Sequence, residues 1–484
     1  MHDVCFSHCE MQNAGTQALA PLKQSEKDVM MNVMEVDMNG DLTTGNITTS
    51  LLKFAFPLMI GNMLQQLYNV ADTLIVGRVL GTNALAAVGS SYTLMTFLTS
   101  ILIGLCMGSS AYFAIQFGKR DYETLNKGIF QSFMLIGILT AALNLAVFFF
   151  VGDIINLLQV PPELRAFTRD YLVCIFAGMT AVFLYNFFAN LLRAVGNSVV
   201  PLVFLSISAV LNIFLDILFV VVIQWGIPGA AAATVISQYV SGIGIAAYYY
   251  IRFPLLRVRK RHMQGNCKIL GDIFRLSSLT CLQQSVMNFG ILMVQGLVNS
   301  FGPVIMAAFA AAVKIDTFAY MPVQDFGNAF STFVAQNYGA DKKERIRKGI
   351  ASSVLFVFIF CLCISLLVCL LARPLMGLFV DAGSPAVIAA GVHYLRIEAV
   401  FYFGIGLLFM LYGYYRAVEK PGMSVILTIC SLGTRVVLAY VLSGFSSIGV
   451  TGIWAAIPIG WILADIVGIL HYSVIARRQT DRMR

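Results

Sequence analysis

The chain has 484 residues, of which 58% are hydrophobic and 12% are charged, with a formal net charge of +8 at pH 7. Soluble globular proteins carry about 25% charged and about 45–50% apolar residues, so this composition excludes an ordinary soluble protein. The apolar residues form long runs of about 20, the length that spans a bilayer. Such runs must be helices, because backbone groups left unpaired in lipid are costly. We therefore predict an all-α polytopic membrane protein.

The first segment, residues 1–50, is polar and has no apolar core behind a basic start, so it lacks the pattern of a signal peptide. We interpret it as a disordered cytoplasmic tail, with the true start at Met1 or at a later methionine such as Met38. Twelve apolar runs follow, and each predicts a transmembrane helix. Their approximate ranges are 51–76, 85–113, 128–151, 170–192, 199–223, 229–251, 276–300, 304–335, 349–372, 391–415, 422–443 and 450–472.

Basic residues indicate the orientation, because cytoplasmic loops are enriched in Lys and Arg. With both termini inside, the inner loops contain most of them: Lys119, Arg120, Lys127, Arg193, the cluster 252–275, the cluster 342–348, Arg416 and Lys420. The outer loops contain only Arg78, Arg165, Arg169 and Arg373. The net positive charge then serves to orient the helices in the membrane. We expect contact with the lipid bilayer and no nucleic-acid partner.

An internal repeat organises the chain. Phe117-Gly118 returns as Tyr338-Gly339 with an offset of 221 residues, and Arg193-Ala194-Val195 returns as Arg416-Ala417-Val418 with an offset of 223. Tyr171-Leu172 returns as Tyr394-Leu395, also with an offset of 223. An even number of spans per repeat gives two parallel six-helix lobes, which rock against each other in alternating access. The predicted domains are an N-terminal lobe (51–251), a basic cytoplasmic linker (252–275), a C-terminal lobe (276–475) and a cytoplasmic tail (476–484).

Polar residues in the N-terminal lobe mark a candidate site. Asp72 in helix 1, Asn212 and Asp216 in helix 5 and Thr234 in helix 6 fall at one depth. Ionisable groups inside a membrane are costly and usually functional. Two nearby carboxylates favour a shared proton, whereas carboxylate, amide and hydroxyl oxygens also suit a small hard cation such as sodium. The simpler alternative is that these groups only hydrogen-bond the helices together.

The C-terminal lobe has a different set of polar residues. Arg435 occupies the position aligned with Asn212, and Met293 the position aligned with Asp72. We expect Glu398 to form a fixed ion pair with Arg435, while Asp316 and Lys314 each find a partner across helices. The helix-7 amides Gln283, Gln284 and Asn288 form a further candidate polar or substrate site.

Several chemistries find no support in the sequence. It contains no G-x-x-x-x-G-K-[S/T] motif, so ATP is not the direct energy source. The ten cysteines include no C-x-x-C pair, and the histidines form no triad or metal set. We expect neither an enzyme nor a resident cofactor.

One family resembles this chain over residues 50–475. Phe56-Pro57-Leu58, the segment from Tyr68 to Arg78, Gln336-Asn337-Tyr338-Gly339-Ala340 and Leu192-Arg193-Ala194-Val195-Gly196 are similar to signatures of the multidrug and toxic compound extrusion (MATE) transporters. The resemblance implies two six-helix lobes around a central cleft and export of organic, often cationic, compounds against inward flow of protons or sodium ions.

The resemblance also implies residue roles. It carries ion coupling onto Asp72, Asn212, Asp216 and Thr234, and bending of helix 1 onto Pro57. Some branches have a helix-7 carboxylate for a cation in the C-terminal lobe. This chain has Gln283 and Gln284 there instead, which favours the N-terminal site.

The predicted function is secondary active efflux of organic, mainly cationic and amphipathic, compounds in exchange for protons or sodium ions. We expect a monomer in the bacterial inner membrane. A lipid-linked oligosaccharide flippase is the alternative in the same superfamily. It is less favoured because such flippases line the cleft with basic residues, whereas here we expect only Lys314 and Arg435 within the membrane. A membrane enzyme or receptor is a third possibility, disfavoured by the duplication.

Overall fold

The computed structural model describes residues 40–157, 162–381, 383–445 and 447–481. Within these ranges the chain is helical and contains no strand. The α-helices are α1 (Ile47–Val79), α2 (Thr82–Gly118), α3 (Tyr122–Leu157), α4 (Arg165–Ala177), α5 (Met179–Ala194), α6 (Val199–Asp216), α7 (Ile227–Arg252), α8 (Cys267–Asn299), α9 (Pro303–Gly339), α10 (Lys343–Met376), α11 (Pro385–Ala399), α12 (Tyr402–Ala417), α13 (Pro421–Ser443) and α14 (Val450–Asp481).

The membrane spans agree with the sequence pattern. By length and composition, ten helices of the described chain can each cross a membrane. Two further pairs are bent, α4 with α5 by 40° and α11 with α12 by 53°, and counting each pair as one span gives twelve. The predicted twelve-helix, all-α membrane fold is confirmed.

Several helix boundaries differ from the predicted ranges. α1 begins at Ile47, where the Asn46 side chain caps it by accepting from the Thr49 amide at 3.2 Å. α8 begins at Cys267 inside the predicted linker, because Asn266 caps its first turn. Residues 1–39 of the predicted disordered tail lie outside the described residues. In the remaining part of that predicted tail, Leu42 and Thr43 are buried. Polar helix ends were missed because hydropathy detects only their apolar centres.

The backbone itself repeats. Residues with positive φ occur in pairs at the offsets found in the sequence: Gly81 with Gly302, Arg120 with Asp341, Gly196 with Glu419, and Gly226 with Gly449. A left-handed conformation is uncommon outside glycine, so four matched pairs are not a coincidence of composition. The two halves of the described chain are therefore the same fold, as the repeat predicted.

The two repeats approach each other at one end through the ends of α2 and α9. A Cβ atom at Gly118 would lie 2.0 Å from the carbonyl oxygen of Gln336, and one at Gly339 would lie 2.0 Å from that of Ile115. Only glycine permits this backbone contact. The Gln336 side chain adds a hydrogen bond to the carbonyl oxygen of Ala194 at 2.8 Å. We call this region the closed end.

Candidate functional site

Two carboxyl groups from different helices meet inside the first repeat. Asp72 lies on α1, and Asp216 is the last residue of α6, just before a π-helical segment, Ile217–Val222. Asp216 is fully buried, and the two carboxyl groups interact directly. Buried Tyr171 on α4 lies near both. We call Asp72 and Asp216 the N-terminal acid pair.

The other two predicted residues flank this pair. The Nδ2 of Asn212 donates to the Oγ1 of Thr234 at 3.3 Å, and that hydroxyl donates to the carbonyl oxygen of Ala230 at 3.2 Å. Within the described part of the chain, no donor reaches Oδ1 of Asp72, Oδ1 of Asn212 or either carboxylate oxygen of Asp216. Buried acceptors normally have donors, so this set suits a proton or a small hard cation.

The chain shows no larger metal-binding cluster in the residues that the structure describes. No group of three or more His, Cys, Asp or Glu side chains lies close enough to hold a metal ion. The N-terminal acid pair and Asn212 together offer two carboxylates and one amide oxygen, and their role in ion coupling stays a prediction.

α1 passes through Pro57 as one continuous helix. Proline has no amide hydrogen, so one backbone carbonyl of the preceding turn loses its helical partner there. The bending role implied for Pro57 stays a prediction.

A second acid pair lies in the C-terminal repeat. Asp316 on α9 and Glu398 on α11 are both buried and interact with each other. The Tyr402 hydroxyl donates to Oδ1 of Asp316. Tyr394, the repeat equivalent of Tyr171, also contacts this pair. We call Asp316 and Glu398 the C-terminal acid pair.

The ion pairs expected in this repeat are not formed. Arg435 acts electrostatically on Asp316 and Glu398, but neither its Nε nor Oε1 of Glu398 has a hydrogen-bond partner among the described residues. Lys314 is exposed on α9 while Asp316 is buried on the same helix. The prediction of a fixed Glu398–Arg435 pair is therefore wrong, because α11 places Glu398 against another acid.

A cleft of about 520 Å³ lies between the repeats. Gln283, Gln284 and Asn288 of α8 line it, as do four amide side chains of α1, so the amides predicted as a substrate site face the cleft. Those of α1 are Asn62, Gln65, Gln66 and Asn69. Glu398 and Arg435 are not part of this lining, so the predicted C-terminal set divides between two places.

Asp325 is a cleft residue that sequence reasoning missed. It lies on α9, is buried, and accepts a hydrogen bond on Oδ1 from Nδ2 of Asn62 on α1. Its Oδ2 has no partner among the described residues. The sequence signal that could have identified Asp325 is a carboxylate within an apolar run, because charged groups inside a membrane are rare and usually functional.

Two arginines placed in inner loops from the sequence also line the cleft. Arg193 is near the end of α5, and Arg416 occupies the equivalent position on α12. Arg416 is buried and donates to Oγ of Ser331 at 3.2 Å and to Oδ1 of Asn328 at 3.1 Å. Neither was expected in the cleft lining, because hydropathy placed both in loops beyond the apolar centres of α5 and α12.

Comparison with known proteins identifies the family. The MatE family model matches residues 57–218 and 279–441, one match in each repeat. The chain belongs to the MatE family. It is 29% identical over 434 residues to the probable multidrug resistance protein YpnP of Bacillus subtilis, covering 89% of this chain and 96% of that one.

Two further MatE comparisons agree. The probable multidrug resistance protein NorM of Thermotoga maritima is 25% identical over 427 residues, which is 87% of this chain and 90% of that protein. A MOP superfamily transporter from Pyrococcus furiosus superposes with a TM-score of 0.84 at 25% identity, covering 89% of this chain and 96% of that one. The resemblance to multidrug efflux transporters is confirmed, and the flippase alternative is not favoured.

The closed end of this MatE protein is held by the segment of residues 42–45. The Leu42 amide in this segment donates to Oε1 of Gln336 at 3.0 Å, and Nδ2 of Asn337 donates back to its carbonyl oxygen at 3.1 Å. Lys342 and Arg345 donate to four carbonyl oxygens of the same segment. Part of the basic cluster interpreted as topogenic thus binds backbone, which hydropathy and charge counting do not reveal.

Proposed function

We propose that this MatE protein is a secondary antiporter of a bacterial inner membrane that exports amphipathic organic compounds, mainly cations, in exchange for protons or sodium ions. The N-terminal acid pair is the ion site, with Asn212 and Thr234 as its neighbours. The protein works as a monomer with both termini in the cytoplasm, and no covalent step is part of the cycle.

The observation that supports this proposal is the position of α1 between the two candidate sites. The helix carries Asp72 of the N-terminal acid pair, and about two to three turns earlier it lines the cleft with Gln65 and Asn62. A proton or sodium ion that neutralises the acid pair changes how α1 packs against α6. Because α1 also lines the cleft, that change alters the substrate site.

Alternating access follows from the closed end. In this conformation α2 and α9 meet at Gly118 and Gly339, so the cleft is shut on the side that we assign to the cytoplasm. Loading from the cytoplasm requires these helices to separate, after which the two repeats rock about the cleft. That separation breaks the contacts at the two glycines and the Gln336 hydrogen bond to Ala194.

Transport into inside-out membrane vesicles tests the proposal. We expect ethidium uptake to be driven by an imposed proton or sodium gradient, each applied separately, and to stop when that gradient is collapsed. The gradient that works identifies the ion. Uptake that needs neither gradient contradicts the proposal.

A further inference from the structure

The closed end of the cleft contains two guanidinium groups that face a single stretch of α9. Arg416 bonds Asn328 and Ser331, while Arg193 acts electrostatically on Asp325. Asp325 and Asn328 are three residues apart, so they lie on the same side of the helix within one turn. The repeat-related arginines therefore converge on one wall of the cleft from opposite lobes.

Much of the hydrogen-bonding capacity of these arginines is unused. A guanidinium has five N–H donors, and Arg416, buried to 95%, uses two of them on Ser331 and Asn328. No described residue accepts a hydrogen bond from Arg193, whose buried Nε has no partner. A buried donor without an acceptor costs free energy unless a ligand or water supplies one. Both side chains line the cleft, so a ligand in it can reach them.

The charge at this end is positive. Two arginines, Arg193 and Arg416, and one carboxylate, Asp325, are the charged groups in the described lining of the cleft, and the rest of the polar wall is built from neutral amide and hydroxyl side chains such as Asn190, Asn328 and Ser331. A purely cationic compound meets Asp325 favourably but is repelled by the two guanidinium groups. Planar guanidinium groups match the geometry of carboxylate and phosphate.

The geometry points to Arg193 and Arg416 as specificity-determining residues that bind an anionic group of the substrate, a carboxylate or a phosphate. Asp325, whose Oδ2 is unpartnered among the described residues, faces the cationic part of the same molecule. The favoured substrates are zwitterionic amphiphiles. This inference rests on the proposed export function, which it narrows from cations in general to molecules that carry both charges.

Equilibrium binding of two dyes to the purified full-length protein in nanodiscs tests the inference without any gradient. The probes are a rhodamine with a free carboxylate and its methyl ester, which share the same cationic ring system. We expect the carboxylate dye to bind at least about tenfold more tightly, since a hydrogen bond to a charged group is worth roughly that factor or more. Equal affinities, or no binding of the carboxylate dye, would overturn the inference.

Variants assign the difference to the arginines. Arg193→Gln and Arg416→Gln should each lower affinity for the carboxylate dye about tenfold and leave the ester within about twofold. Arg416→Lys should recover part of the affinity, and Lys314→Gln, an exposed charge on α9, should change neither dye. A parallel loss for both dyes would show that the arginines act only structurally.

Lipid composition and a gradient assay distinguish a substrate site from a lipid site and from a failure of export. Nanodiscs of phosphatidylcholine alone are compared with nanodiscs that include phosphatidylglycerol. Unchanged affinity for the carboxylate dye supports a substrate site, whereas a loss confined to phosphatidylglycerol assigns the arginines to lipid headgroups and overturns the inference. If the dye binds as expected but no gradient drives its uptake into vesicles, the export function fails while the anion site stands.

Discussion

The two acid pairs show how a duplicated fold acquires one specialised lobe. Each pair lies between helices of one repeat, and each has the repeat-related tyrosine, Tyr171 or Tyr394, in its vicinity. Their other neighbours differ. The N-terminal acid pair has Asn212, and the C-terminal acid pair has Arg435 at the aligned position together with a hydroxyl donated by Tyr402.

This difference in partners separates the possible roles of the two pairs. Oxygens of the N-terminal acid pair lack donors among the described residues, so a proton or cation adds an interaction that the protein does not supply. At the C-terminal acid pair, Arg435 and Tyr402 already supply positive charge and a hydrogen bond. An added cation gains less there, which favours the N-terminal acid pair as the coupling site.

Removing one acid of the N-terminal pair should have the largest effect. We predict that Asp72→Asn abolishes gradient-driven export, because Asn keeps the size and polarity of the side chain but removes the negative charge and the titratable proton on which coupling depends. Dye uptake into inside-out vesicles measures it, with Asp153→Asn, an exposed carboxyl group on α3, as the matched control. Full gradient-driven uptake by a membrane-inserted Asp72→Asn protein would refute the assignment.

Exchanging the aligned residues tests the comparison directly. We expect Asn212→Arg to lower gradient-driven uptake at least about tenfold, because a guanidinium beside the N-terminal acid pair would replace the ion as its partner. Asn212→Gln, which keeps the amide, is the control for a larger side chain. If Asn212→Arg transports normally and still depends on the gradient, the aligned residue does not decide which lobe couples.

Hydroxyl donors should differ in their contribution to stability. Tyr402→Phe removes the donor to Asp316 and should lower the free energy of unfolding by about 1–3 kcal/mol, the cost of leaving a buried acceptor unsatisfied. Tyr171→Phe should cost less, because no described residue accepts a hydrogen bond from Tyr171. Thermal unfolding of the purified variants measures both. A larger loss for Tyr171→Phe would reverse this ranking.

Glu398→Gln provides a second stability test of the C-terminal acid pair. Since Glu398 lies against Asp316 and makes no ion pair with Arg435, we expect a change in the free energy of unfolding well below the roughly 3–5 kcal/mol typical of a broken buried ion pair. A loss in that range, recovered by adding Arg435→Gln, would restore the ion-pair interpretation. Loss of ion coupling in a stable protein would instead make Glu398 a coupling residue.

Substitutions at the closed end should have the smallest effect on transport. Neutralising Lys342 and Arg345 together as Gln should leave dye affinity within about twofold, because neither lines the cleft. Hydrogen exchange of the Leu42 amide should accelerate, since the segment of residues 42–45 loses most of its hydrogen bonds to side chains. Lys343→Gln, whose ion pair with Asp341 is exposed, is the control. A tenfold loss of affinity would place this cluster in the substrate path.

The position of a residue along an apolar run predicted its neighbours well when the partner lay at the same depth. Asp72, Asn212, Asp216 and Thr234 were grouped from shared helix faces and equal depth, because helices crossing one bilayer align residues of equal depth. Glu398 was misassigned for the same reason. Depth did not distinguish Asp316 from Arg435 as the partner of Glu398, and only the tertiary structure showed that Glu398 lies against Asp316.

Composition, hydrophobic run length and the repeat determined the twelve-helix fold, since a bilayer allows little besides helices of that length. They also indicated the N-terminal acid pair. Only the tertiary structure decided that Arg193, Arg416 and Asp325 share a cleft and that residues 42–45 hold its closed end. These contacts join residues of different lobes. Hydropathy reports how well each single helix suits a lipid environment. The packing of the two lobes depends instead on backbone contacts such as those at Gly118 and Gly339.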